Sequence, residues 1–84
     1  MNNVIMRKVT LTADYQPLSA TRLVASVEIS APPSNSGAVY FLGDDGSDVP
    51  WVQGEYHRFS RIDLSSLKAK GAVGDIITLV GGTW

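Results

Sequence analysis

Along most of this chain apolar and polar side chains alternate one for one, the spacing of half-buried β-strands. In Lys8-Val9-Thr10-Leu11-Thr12-Ala13, the residues Val9, Leu11 and Ala13 share one face and polar side chains take the other. The clearest alternation runs over residues 22–30, where Leu23, Ala25, Val27 and Ile29 point one way and Arg22, Ser26 and Glu28 the other. Residues 37–43 are apolar on both faces and closed by Gly37 and Gly43. Such a run predicts a strand in the middle of a sheet or against a neighbouring subunit. Further strands are predicted at 55–62, rich in aromatic and charged residues, at 67–70, and at the apolar run 76–80. No helical period of useful length and no internal repeat interrupts this series.

The connections are marked by residues that leave a ladder. Pro17 cannot donate to one, so residues 14–19 read as a link, and Pro32 and Pro33 with Ser34, Asn35, Ser36 and Gly37 make the strongest break. Residues 44–51 read as an acidic loop, 63–67 as a tight turn that tucks Leu64 into the core, 71–75 as a hairpin connection and 81–84 as a flexible exit. The segment Asn2-Asn3-Val4-Ile5-Met6 is open between two readings: a mobile arm over residues 1–7 that orders on a partner, or the first half of strand one. Together these elements predict one all-β domain over residues 1–84, a small antiparallel β-sandwich or jelly-roll-like barrel of about six strands.

Composition adds constraints. A chain of 84 residues with 44% hydrophobic and 18% charged residues has the balance of a folded globular domain, but a core that small returns little more than its ordering entropy. With no cysteine, disulfides and thiolate metal sites are excluded, which leaves oligomerisation as the natural source of extra burial. The net charge is −1 and the cations are scattered singly apart from Arg7-Lys8, so no basic stripe for nucleic acid exists. No apolar run is long enough to span a membrane. The first residues lack the order of a secretory signal, so synthesis and folding are expected in a cytoplasm.

Catalytic chemistry needs a nucleophile with a base, paired carboxylates or a metal cluster. The single histidine, His57, lies in a mixed strand with no nucleophile motif beside it, so no catalytic residue, cofactor or metal is assigned and the chain is read as no enzyme. Asp44, Gly46 and Asp48 alternate as in a calcium loop, with Glu55 twelfth from Asp44. Gly46 stands where a ligand is needed, Val49 where a glycine is needed, and Pro50 and Trp51 break the loop, so a solvated turn is the preferred reading. Trp51, Tyr40 and Trp84 are candidate protein-contact residues with Val4 and Ile5 of the N-terminal segment, because large aromatics anchor interfaces as well as cores. The competing reading takes Trp51 with Asp44, Asp45 and Asp48 as a glycan site.

The runs Gly37-Ala38-Val39-Tyr40-Phe41-Leu42-Gly43-Asp44-Asp45, Gly54-Glu55-Tyr56-His57-Arg58-Phe59, Ile62-Asp63-Leu64-Ser65-Ser66-Leu67-Lys68-Ala69-Lys70-Gly71 and Gly74-Asp75-Ile76-Ile77-Thr78-Leu79-Val80-Gly81-Gly82-Thr83-Trp84 stand in a recurring order. With the strand Leu23 to Ile29 before them, they resemble small β-sandwich structural proteins of tailed bacteriophages over residues 20–84. The resemblance implies a virion component similar to capsid decoration or cement proteins. It implies assembly as a homo-oligomer, typically a trimer, on the major capsid protein, with no catalytic residues. A glycan- or receptor-binding module of a tail fibre or spike, and a head-completion or tail component, are the alternatives it leaves.

Overall fold

A computed structural model describes residues 3–84 of the chain. Where apolar residues alternate, strands form: β1 (Val4–Thr10), β2 (Gln16–Pro17), β3 (Val24–Ser30), β4 (Val39–Leu42), β5 (Asp48–Trp51), β6 (Tyr56–Asp63), β7 (Lys68–Lys70) and β8 (Ile76–Thr83). A 3-10 turn, Leu64–Ser66, separates β6 from β7. The strands pair antiparallel into two four-stranded sheets, β1-β8-β3-β6 (sheet I) and β2-β7-β4-β5 (sheet II). The protein is a small antiparallel β-sandwich.

The inward positions of both sheets make one core. Ala25, Val27 and Ile29 of β3 and Ile77 and Leu79 of β8 are buried from sheet I, and Val39 and Phe41 of β4, Trp51 of β5 and Ala69 of β7 from sheet II. Each fully buried aliphatic side chain contributes about 1.5–3 kcal/mol. Most connections cross between the sheets, and the corners fill the ends of the sandwich with Leu11, Leu18, Ala31 and Leu64.

Two polar devices hold the corners. The Asp63 carboxylate accepts hydrogen bonds from the backbone N–H of Leu23 at 3.1 Å and of Ser65 at 3.0 Å, so the start of β3 is tied to the turn that buries Leu64. In the proline-rich loop, the buried Asn35 side chain copies a strand: it donates to the Ile76 carbonyl at 2.8 Å and accepts from the Ile76 N–H at 2.9 Å. Beside it, the Asp75 carboxylate accepts from the Ser36 N–H at 3.0 Å.

Several boundaries differ from the sequence expectation. Residues 4–7 pair with β8 from Val4↔Gly82 to Arg7↔Leu79, so they lie in β1 and not in an arm; residues 1–2 fall outside the described part. The exit at 81–83 is the second half of β8, held on both sides by β1 and β3. Gly81 makes this possible: a Cβ there would sit 2.0 Å from the Ser26 carbonyl oxygen. Residues 48–51 form β5 and not loop, because Pro50 sits on an edge strand where a missing N–H costs no ladder bond. β4 lies between β7 and β5, but it alternates: Val39 and Phe41 are buried, Tyr40 and Leu42 exposed. The strand expected over 8–13 stops at Thr10, and Ala13 is exposed.

All four sheet edges carry a feature that discourages strand addition. On β1, Arg7 occupies the inward side of the alternation between Ile5 and Val9, and Lys8 follows. β6 bulges: Ala25 pairs with Ile62 and Val27 with Phe59, so Ser60 and Arg61 oppose Ser26 alone, and Arg61 takes a left-handed φ of 51°. β5 contains Pro50, and β2 is two residues long and ends in Pro17.

Candidate protein-contact site

The outer face of sheet I is built row by row from the strand register. One row runs Met6, Val80, Glu28, Arg58; the row beside it runs Val4, Gly82, Ser26 and then the bulge. Ile5 faces the core, so alternation sends Val4 and Met6 outward, where they are 79% and 73% exposed. Gly82 leaves a gap in the second row. Trp84, next on the same side of β8, lies across β3 there: its indole Nε1–H donates to Ser26 Oγ at 2.7 Å, and its backbone N–H donates to the Val24 carbonyl at 3.1 Å.

The bulge completes this arrangement. Arg61 donates its backbone N–H to the same Ser26 hydroxyl at 3.0 Å, and its guanidinium carbon lies 4.0 Å from the Trp84 ring centroid. An exposed cation–π pair of this kind is worth about 0.5–1 kcal/mol. Trp84 is therefore held in place while 54% exposed. Between the rows lies a cleft of about 330 Å³ lined by Ser26, Glu28, Arg58, Ser60, Val80 and Gly81, and a hollow of about 230 Å³ adjoins it at Ser26, Gly82, Thr83 and Trp84. Arg58 reaches Glu28 only loosely, at 3.9 Å.

The candidate contact residues from the sequence divide three ways. Val4 and Trp84 come together on this face, on either side of Gly82. Tyr40 is half-exposed but belongs to the outer face of sheet II, across the thickness of the sandwich. Ile5 and Trp51 are in the core at 3% and 5% exposure, so neither offers a surface anchor. Trp51 stacks on Phe41 with centroids 4.1 Å apart, meets His57 edge-on at 4.7 Å and lies parallel to Phe59 at 6.4 Å.

Burial of Trp51 also removes the platform of the glycan reading, and its acids are separated in role. Asp45 closes the turn between β4 and β5 by accepting from Ser47 Oγ at 2.6 Å and from Ser47 N–H at 3.0 Å; these bonds hold its carboxyl below the usual range. Asp48 accepts from the Tyr15 hydroxyl and lies 3.8 Å from Lys70 Nζ. Burial, and then Asp48, push the Tyr15 phenol up to about 12. Asp44 has no hydrogen bond or ion pair among the described residues. His57 Nε2 lies 2.7 Å from Glu55 Oε2, a contact that lowers the Glu55 carboxyl, and its other close neighbour is the Trp51 ring. Among the described residues no group of three or more His, Asp or Glu side chains could hold a metal ion.

Sequence reasoning missed Arg61, Met6, Val80 and Arg58 as parts of the site. Met6 and Val80 were within its reach, because carrying the alternation of β1 and β8 to their ends places both side chains opposite the buried Ile5 and Leu79. The placement of Arg61 depends on the bulge, which has no signature in the local sequence.

Fold and surface together define a small antiparallel β-sandwich with guarded edges and one exposed apolar and cationic sheet face. No family model matches the chain, and no curated protein or solved structure is significantly similar to it.

Proposed function

We propose that this chain is a non-enzymatic structural protein of a bacteriophage particle, a capsid decoration or cement protein that stabilises the shell through protein–protein contacts. The observation that carries the adhesive part of this reading is the outer face of sheet I. Val4, Met6, Val80 and Trp84 stand exposed there on strands too firmly paired to bury them by rearrangement. An exposed apolar group on a rigid sheet, rimmed by Arg58, Arg61 and Lys8, is the composition of a protein-contact surface, with Trp84 and the arginines as its anchors. The virion assignment is supported by the order of motifs over residues 20–84. Such a protein gains its effect from many copies acting at once, so each contact can be weak.

The test is co-sedimentation of the purified chain with shells of the phage that encodes it, followed by cryo-electron microscopy of intact particles. The proposal expects density for this chain on the shell surface. It further expects that Met6→Glu or Trp84→Ala lowers shell affinity about tenfold or more, since an interface anchor is worth about 2 kcal/mol. Particles in which the chain is absent would overturn it, as would shell binding that both variants leave unchanged.

A further inference from the structure

We propose that the outer face of sheet I receives the β4–β5 hairpin of a second copy of this chain, in a head-to-tail contact. This rests on the reading of that face as adhesive, and goes further in naming what it grips. The first reason is the separation of charge between the two ends of the contact. The outer face of sheet I carries Lys8, Arg58 and Arg61 against Glu28, which Arg58 holds only loosely at 3.9 Å, and Asp63, which is already engaged by Arg22 at 3.6 Å. The segment 43–51 carries Asp44, Asp45 and Asp48 and no cation; Lys70 of β7 engages Asp48 at 3.8 Å, so the free charge lies at the tip, on Asp44 and Asp45. Opposite patches of this kind steer association and fix which surfaces meet.

The second reason is shape and order. The hairpin tip is pinned by Gly43 N–H to the Ser47 carbonyl at 2.8 Å, Gly46 N–H to the Gly43 carbonyl at 3.0 Å, and the Asp45 carboxylate on Ser47. Of the three carboxylates in the hairpin, that leaves Asp44 as the one without a partner among the described residues, on a tip flanked by the half-exposed Leu42 and Val49. The receiving face has the matching composition, with the loosely held Arg58 at its cleft and Arg61 beside Trp84. The third reason is exclusion: with every edge blunted by charge, bulge, proline or brevity, pairing of copies by strand addition is opposed. A contact between two different surfaces repeats around a rotation axis and closes a ring where the rotation closes.

Sedimentation velocity across a concentration series tests this on the purified chain. Self-association is expected, weakening as salt rises from about 50 mM to about 500 mM because the contact is charge-steered. Asp44→Lys and Arg58→Glu, both at exposed positions, should each weaken association about tenfold or more while the domain stays folded by circular dichroism; Arg58→Glu faces Glu28 across the ladder, so its melting temperature falls by a few degrees. The double variant D44K/R58E should recover it, because the hairpin of one copy then brings a cation to the anion on the face of the next. A monomer at every concentration overturns the proposal, and so does an oligomer that R58E disrupts while D44K leaves it intact, which would mean that the face meets another face or a foreign acidic segment. A monomer that still co-sediments with shells would sink this inference and leave the adhesive reading standing.

Discussion

Replacing Trp51 by alanine separates the two tryptophans more sharply than any other single change. The Trp51 ring is sealed between Phe41, Phe59 and His57, so its truncation removes apolar burial and three ring contacts and opens a cavity. Buried Trp→Ala changes cost about 3–5 kcal/mol. At about 0.05–0.15 kcal/mol per residue, the whole domain has only about 4–12 kcal/mol to lose. The unfolding entropy of 84 residues is about 0.18 kcal/mol per kelvin, so the expected fall in melting temperature is about 17–28 °C. Trp84→Ala loses a surface cation–π pair and an exposed hydrogen bond to Ser26, about 1–2 kcal/mol, and should lower the melting temperature by about 6–11 °C. Urea and thermal unfolding by circular dichroism give both values. If Trp51→Ala does not unfold the protein outright, its fluorescence should come from Trp84 alone and be red-shifted and quenched readily by iodide. Trp84→Phe should leave a blue-shifted, shielded emission. A Trp51→Ala protein within about 1 kcal/mol of the parent, or an iodide-accessible Trp51, would refute its placement in the core.

Two further outcomes follow from close packing and from the corner carboxylates. Gly81→Ala should cost more than about 3 kcal/mol in urea unfolding, because its Cβ would meet the backbone at Ser26 O, 2.0 Å away, and Val27 Cα, 2.8 Å away, and backbone in a sheet centre cannot swing aside. Gly82→Ala, whose nearest contact is Asn3 O at 3.5 Å, should stay within about 1 kcal/mol. Acid should unfold the domain: the Ser36 N–H holds the Asp75 carboxyl below its ordinary value, and the hydroxyl and N–H of Ser65 do the same for Asp63. A carboxyl with a lowered folded-state pKa adds stability that is present above its unfolded value near 3.9 and is lost as pH falls through the folded value. The urea midpoint should therefore drop below about pH 4, less steeply in Asp75→Asn. A midpoint flat from about pH 5 to about pH 2.5 would contradict the hydrogen bonds drawn at both corners.

Alternation made the architecture legible wherever a strand has one wet face. Leu23 to Ile29 reads directly as β3, and Leu64 after Asp63 reads directly as a buried corner. The pattern failed where local residues look like loop but tertiary pairing overrides them. Gly81-Gly82 has little strand preference, yet β1 and β3 clamp it from both sides and the absence of a Cβ at Gly81 lets the strands approach. Pro50 suggests a loop until the strand holding it proves to be an edge. Trp51 was ambiguous for a different reason. An aromatic suits a core and an interface equally, and only the opposing positions of Phe41 and Phe59 across the sandwich decide between them.

The same distinction bears on which surfaces this domain offers to a partner. A sandwich of two four-stranded sheets has four edges on which a partner strand could be added, and an unguarded edge would make association indiscriminate. Here Arg7 and Lys8, the Arg61 bulge, Pro50 and the two-residue β2 cover all four, so the contact proposed above falls to a face. The Arg61 bulge serves both ends at once. It interrupts the β6 ladder opposite Ser26, and the left-handed turn it imposes lets the Arg61 N–H reach the Ser26 hydroxyl while its guanidinium lies over Trp84. One local irregularity thus discourages strand addition at the β6 edge and fixes Trp84 on the adjoining face. That coupling explains why Trp84 can be more than half exposed and still be held in one orientation, which is the condition for the proposed contact to form without the entropy cost of ordering its side chains first.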